Sequence, residues 1–243
     1  MPMSESFQNR LFPIAEDLAQ HYGTPFHIYD ETGIRDTGRQ LNRAFAAIEG
    51  FREYFAVKAL PNPRILAIMQ DLGFGFDCSS IPELISSRQI GAHGEDIMFT
   101  SNNTTQEEFL AAAAEGGCIL NLDDISLLAK VPQFPELVCF RYNPGPRRTG
   151  NVIIGNPVEA KYGITHDQVI SAYKLALERG AKRFGIHTMV ASNETDDTYI
   201  VETARMLLQL AEMVEGQLGI RFEFLNIGGG LGIPYKPEDL PLD

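Results

Sequence analysis

Between residues 50 and 230, short apolar runs alternate with longer stretches in which apolar residues recur every three or four positions. The apolar runs fall at 54–57, 74–78, 97–100, 118–120, 137–142, 183–187 and 222–227, each the length of a buried strand. Between them, 63–72, 81–90, 106–115, 123–130, 167–179 and 195–218 carry helical periodicity. Several of these open on capping residues, such as Thr104-Thr105-Gln106-Glu107 and Thr165-His166-Asp167. Strands that alternate with helices at this spacing predict parallel βαβ units and an α/β fold. Both a (β/α)8 TIM-type barrel and an open doubly wound sheet satisfy the period; seven strands in a row favour the barrel.

That barrel is expected to be one strand short. After Gly228-Gly229-Gly230 only 13 residues remain, rich in proline and acids, too few for a final helix and an eighth strand. The first 35 residues, including Pro25-Phe26-His27-Ile28-Tyr29-Asp30, are expected to form a separate strand and helix entry segment (1–35) ahead of an incomplete barrel domain (36–243). No internal repeat or long linker interrupts the pattern.

Composition narrows the partners. A formal charge of −12 argues against nucleic acid or an anionic membrane surface. No apolar run is long enough to span a bilayer, and residues 1–10 lack the hydrophobic core of a signal peptide. Three widely separated cysteines, Cys78, Cys118 and Cys139, point to free thiols in a reducing cytoplasm. The five histidines have no metal-ligand spacing, so no metal site is expected.

In a βα barrel, strand C-termini and the loops after them line the reaction face. Lys58 falls at such an end, after the run 54–57 and before Pro61. A lysine at the end of a buried strand is costly to desolvate and gives up its proton more easily than a surface lysine, which makes its amine a nucleophile. The competing reading is a side chain that snorkels from the strand end to solvent. Asp77 and Cys78, Thr100-Ser101-Asn102-Asn103, Arg141-Tyr142-Asn143, His187 and Gly228–Gly230 fall at the other strand ends. Each has a structural reading too: Asp77 could cap the helix that starts near Ser80, and Arg141 could pair with a neighbouring carboxylate. The turn Gly228-Gly229-Gly230-Leu231-Gly232 follows the seventh run directly, where barrels commonly hold phosphate, and glycines let backbone N–H groups approach an anion. A lysine for an aldehyde and N–H groups for a phosphate are what pyridoxal 5′-phosphate requires.

Phe55-Ala56-Val57-Lys58-Ala59, Asp77 with Glu83, Arg141-Tyr142-Asn143-Pro144-Gly145, Lys161-Tyr162-Gly163 and Asn226-Ile227-Gly228-Gly229-Gly230-Leu231-Gly232 together resemble the pyridoxal-phosphate decarboxylases of the alanine-racemase-like fold (fold type III), in particular the diaminopimelate decarboxylase group. The resemblance covers roughly residues 20 to 235, in the family's order. It implies that Lys58 carries the cofactor and later acts on the substrate's α-carbon. It also implies that Gly228, Gly229, Gly230 and Ser192 hold the cofactor phosphate, that Asp77 lies near Lys58, and that Arg141 lies near the cofactor ring. The implied reaction is decarboxylation of an amino acid, meso-diaminopimelate to L-lysine, with ornithine, arginine or carboxynorspermidine as alternative substrates and a non-catalytic pyridoxal-phosphate carrier as the alternative class. Arg147 and Arg148 are candidate contacts for a substrate carboxylate, and the resemblance implies a homodimer.

The chain departs from the family pattern twice. The family carries Gly-x-His-x-His-x-Gly-Ser after the sixth strand; here the segment is Gly185-Ile186-His187-Thr188-Met189-Val190-Ala191-Ser192. His187 and Ser192 match, but Met189 takes the place of the histidine that lies against the cofactor ring. A thioether can pack on an aromatic face and cannot carry a proton. The family also continues into a Glu-Pro-Gly-Arg segment, whose glutamate pairs with the pyridinium nitrogen, and a C-terminal β-domain. Neither occurs in these 243 residues, so the chain is expected to be a poorly active or inactive fragment of a decarboxylase.

Overall fold

The computed structural model describes residues 3–160, 162–236 and 238–242. Its centre is a seven-stranded parallel sheet with β1 (Tyr54–Ala56), β2 (Gly75–Cys78), β3 (Gly94–Phe99), β4 (Cys118–Leu122), β5 (Leu137–Tyr142), β6 (Arg183–Thr188) and β7 (Phe222–Asn226) adjacent in chain order. Helices α1 (Glu5–Leu11), α2 (Ala15–Tyr22) and α3 (Glu31–Ala44) precede the sheet. The crossovers contain α4 (Pro63–Asp71), α5 (Ile81–Gln89), α6 (Gln106–Ala113), α7 (Val169–Glu178) and α8 (Asp197–Leu218). The sheet is curled into the greater part of a TIM-type barrel, with β1 and β7 as its edges among the described residues.

Strand side chains alternate between two faces, and each face has its own core. Phe76, Ile97, Phe99, Leu120, Leu122, Val138, Phe140, Phe184 and Ile186 face the helices and join Leu66, Leu84, Phe109, Tyr173, Leu207 and Val214 in the larger one. Met98, Ile119, Leu137 and Cys139, with Tyr54 and Phe224, fill the concave inner face. Gly185 makes that packing possible: a Cβ there would lie 2.0 Å from the Phe224 ring. At the strand N-termini Arg183 bridges to Glu95 (2.5 Å) and Glu223 (2.7 Å), tying β6 to β3 and β7. The opposite, C-terminal end of the strands is the open mouth.

Four local expectations are corrected. Residues 123–130 form no α-helix but a 3-10 stretch, Ile125–Lys130, opened by Asp124, which accepts from the Ser126 N–H at 2.7 Å. It is cut short by Pro132, and Asp123 is committed elsewhere. Residues 25–30 form no strand: 25–29 are exposed, Asp30 is the N-cap of α3, and none of the six pairs with a described strand, whereas a strand needs a partner for its backbone groups. The helix expected from residue 167 starts at Val169, because Gln168 Oε1 accepts from the Thr165 N–H and holds 165–168 as a turn. The run ending at Lys58 is strand only to Ala56. Val57–Ala59 turn as 3-10, and Lys58 is exposed, so the snorkelling reading of its environment holds and the buried one does not.

The helix layer predicts its own weak point. Tyr173 on α7 is fully buried, stacks edge-on against Phe140, Phe184 and Phe222, and donates its hydroxyl to Gly185 O at 2.8 Å. Tyr173→Phe is expected to cost about 1 kcal/mol by orphaning that carbonyl. Tyr173→Ala is expected to cost about 3–5 kcal/mol by opening a cavity. Urea unfolding of the two variants checks this; equal losses would contradict it.

Candidate active site at the strand ends

Inward alternation places a belt of polar residues around the mouth: Asp77 from β2, Thr100 just beyond β3, Asn121 from β4, Arg141 from β5, His187 from β6 and Asn226 from β7. Thr100, Asn121, Arg141 and His187 are buried. Four of the belt residues form a continuous chain. Thr100 Oγ1 donates to Asp77 Oδ1 at 2.8 Å and accepts from Asn121 Nδ2 at 3.0 Å, and Asn121 Nδ2 lies 2.7 Å from His187 Nδ1. Burial pushes the Asp77 carboxyl up to about 6, against the pull of the Thr100 hydroxyl and the charges of Lys58 and Arg141. Burial, aided by the Arg141 charge, lowers His187 to about 3, so its ring is neutral at ordinary pH.

Arg141 pairs with a carboxylate, as one of its sequence readings has it. Its Nε donates to the buried Asp123 at 2.5 Å, its Nη2 donates to Asn102 Oδ1, and its guanidinium lies 4.7 Å from the centre of the Tyr162 ring. Asp77 does not cap the helix near Ser80; Glu83 does, accepting from the Ser79 N–H and the Ser80 hydroxyl, while its charge still acts on Asp77.

After β7 the chain makes the glycine turn. Gly228 and Gly230 have φ of 78° and 96°, and a Cβ on either would lie 2.3 Å from Thr188 O or 2.4 Å from Ala191 O. Only glycine lets the turn press this closely onto the segment that carries Met189 and Ser192. The Gly228 N–H is taken by Asn226 Oδ1 (2.9 Å), whereas the N–H groups of Gly229 and Gly230 have no partner among the described residues. Gly229 is exposed and has open space where a Cβ would be. The half-exposed Ser192 lies beneath Gly230, whose added Cβ would come within 2.9 Å of the Ser192 nitrogen. Two free N–H groups and a neighbouring hydroxyl, approachable from solvent, fit a phosphate.

The remaining candidates divide. Lys58 stands at the β1 end of the belt, where its charge acts on Asp77. Met189 is half-buried, its sulfur against Gly228. Arg147 and Arg148 are not brought to the mouth. They line a groove on the helix side with His166, Arg205 and Met206. There Arg148 is spent on Glu202, Tyr199 O and Thr203 Oγ1 and lies over the Tyr199 ring. Lys161, part of the sequence resemblance, lies outside the described residues.

Residues 34–243 match the family model described as pyridoxal-dependent decarboxylase, pyridoxal binding domain. The chain belongs to this family. Among curated relatives it is similar to Protein TabA of Pseudomonas amygdali pv. tabaci (44% identical, covering 100% of this chain and 57% of that protein) and to the diaminopimelate decarboxylase of Thermoplasma acidophilum (34% identical, 94% and 56%). Among solved structures it resembles the diaminopimelate decarboxylase of M. jannaschii in co-complex with L-lysine, at a TM-score of 0.84, 28% identity and coverage of 93% of this chain and 55% of that one. The chain thus spans a little over half the length of these relatives. The family's cofactor is pyridoxal 5′-phosphate.

The sequence reading missed Asn121, Asp123 and Glu53. A signal for Asn121 was available: it is the polar residue on the inward parity of Cys118-Ile119-Leu120-Asn121-Leu122, in register with Cys139 on β5. Glu53 left no such signal. Burial, reinforced by the Asp77 charge, raises it to about 7.

Two predictions follow from this geometry. The carboxyls of Glu53 and Asp77 hold protons more firmly in the fold than in the unfolded chain. Their contribution to stability is therefore fully present below their ordinary values of 4.5 and 3.8, and is lost as pH rises through about 7 and about 6. His187 acts oppositely: its contribution is present above its ordinary 6.5 and lost as pH falls toward about 3. Glu53→Gln is expected to match wild type in acid and to be the more stable protein above about 7. Urea midpoints on both sides of that pH decide it, and parallel profiles would refute the assignment. In the glycine turn, Gly228→Ala and Gly230→Ala are each expected to cost about 1–3 kcal/mol, from strain and contact. Gly229→Ala should stay within about 0.5 kcal/mol, and thermal unfolding distinguishes the pattern.

Proposed function

We propose that the mouth binds pyridoxal 5′-phosphate through Lys58 and that the whole protein is an amino-acid decarboxylase, with meso-diaminopimelate as the first candidate substrate. The observation that carries the reading is the placement of an exposed lysine at one end of the polar belt and free glycine N–H groups at the other. When bound, the cofactor supplies an aldehyde for an amine and a ring that takes up the electron pair left by departing CO2. The protein's part is binding and positioning. The Gly229 and Gly230 N–H groups and the Ser192 hydroxyl hold the phosphate, with Gly228 shaping the turn. Met189 covers the ring face as a soft apolar wall. Asp77 balances the Lys58 charge, and Arg141 closes the mouth on the β5 side. Lys58 Nζ holds the proton that product formation requires at the α-carbon.

The choice of diaminopimelate rests on the named relatives at 34% and 28% identity; the 44% relative carries a different name, so ornithine, arginine and carboxynorspermidine stay as alternatives. A homodimer is proposed on the family resemblance, and a reducing cytoplasm on the three free thiols. No described helix is long and apolar enough to cross a membrane. Met189, which cannot carry charge, favours one second reading, a non-catalytic pyridoxal-phosphate carrier.

Adding pyridoxal phosphate is expected to produce a visible absorbance band that Lys58→Ala lacks. In the full-length protein the same variant should lose CO2 release from meso-diaminopimelate by at least about 10²-fold. No band in wild type would sink cofactor binding at this lysine. A band without CO2 release from any of the four amino acids would favour the carrier.

A further inference from the structure

The belt contains a hydrogen-bond chain with a direction. Thr100 Oγ1 has one proton. Asp77, when ionised, can only accept, so that proton points from Thr100 to Asp77 across 2.8 Å. Thr100 Oγ1 must then accept from its other neighbour, which turns the NH2 end of Asn121 toward it at 3.0 Å. The same NH2 group faces His187 Nδ1 at 2.7 Å, and its second hydrogen points there. Asn121 Oδ1 is left buried with no partner, the cost of this orientation. The reverse orientation would set Asn121 Oδ1 against a Thr100 oxygen whose proton is already spent on Asp77. His187 Nδ1 therefore accepts, and the ring's proton sits on Nε2. The side chain stands on the inward face of β6, in register with Arg141 and Asn226, and is 7% exposed at the mouth.

We propose that Asn121 and Thr100 are positioning residues that hold His187 as the neutral Nε2–H tautomer, so that the mouth is offered a fixed hydrogen-bond donor and no general base. The assignment concerns the same mouth as the proposed cofactor site but does not require the cofactor to be bound. Carboxylates and cations face Asp77 from several elements: Lys58 beyond β1, Glu83 on α5 and Arg141 on β5, with Glu53 ahead of β1. The charged group acting on His187 is Arg141. As Asp77 takes up a proton, the direction of the Thr100 hydroxyl is released and the tautomer preference should weaken.

Nitrogen-15 NMR of histidine-labelled protein without added cofactor tests this, with a His187→Asn variant to assign the resonance among the five histidines. The expected wild-type spectrum at neutral pH has a pyridine-like Nδ1 and a pyrrole-like Nε2. Asn121→Asp should make Nδ1 pyrrole-like, because a carboxylate there accepts instead of donating. Thr100→Val should give a mixture of tautomers while leaving the fold intact by circular dichroism. Acidification through about 6 should move wild type toward the Thr100→Val pattern. A pyrrole-like Nδ1 in wild type would overturn the proposal without any variant. So would a folded Asn121→Asp protein whose His187 shifts match wild type. Neither result bears on whether Lys58 binds pyridoxal phosphate, which the absorbance experiment reads separately.

Discussion

The mouth is organised around a buried ion pair. Arg141 and Asp123 are 9% and 3% exposed and meet at 2.5 Å, so neither charge can be relieved by water. Desolvating such a pair is repaid only when the remaining donors are also satisfied, and here Asn102 and the Tyr162 ring complete the set. Through these contacts one side chain on β5 holds the end of β4, the loop after β3 and the segment that leads into α7. Removing either partner would leave a buried charge uncompensated, a loss on the order of 3–5 kcal/mol. The pair also sets the field of the site, since Arg141 lowers the pKa of both Asp77 and His187.

The sheet was legible because parallel strands buried on both faces read as nearly continuous apolar runs. All seven runs became strands, with ends displaced by a few residues where glycine or a 3-10 turn intervened. The failures share a cause: they depend on what lies beside a segment. Residues 25–30 have the alternation of a strand but pair with no described strand. Residues 123–130 have helical spacing, yet Asp123 is drawn to Arg141, and the six residues after Asp124 wind more tightly. Lys58 follows a strand at the sheet edge, where β1 pairs with β2 alone among the described residues.

The site was legible in part for the same reason. Strand ends are predictable from the runs, so Lys58, Asp77, Arg141, His187 and the glycine turn could be named. Which of their neighbours complete the network is a matter of register across strands, and register cannot be read from one strand at a time. Asn121 meets His187 two strands away, 66 residues along the chain. Arg147 and Arg148 show how a loop leads away from the strand that precedes it. Their proximity in sequence to Arg141 suggested the mouth, but the 3-10 turn Gly145–Arg147 carries them over the rim to α8, where Arg148 fastens the loop to the helix.

Met189 has a consequence for how the cleft responds to acidity. With a thioether beside the glycine turn, and with the neighbouring imidazole protonating only near 3, neither of these two positions supplies a cation across the physiological range. The group of the polar belt whose charge changes between mild acid and neutrality is the Asp77 carboxyl, whose charge is felt by Glu53 ahead of β1. Acidification in that range therefore makes the cleft less negative through carboxyl protonation, without an imidazolium at either position. A ligand carrying phosphate and carboxylate would meet weaker repulsion there in mild acid than at neutrality.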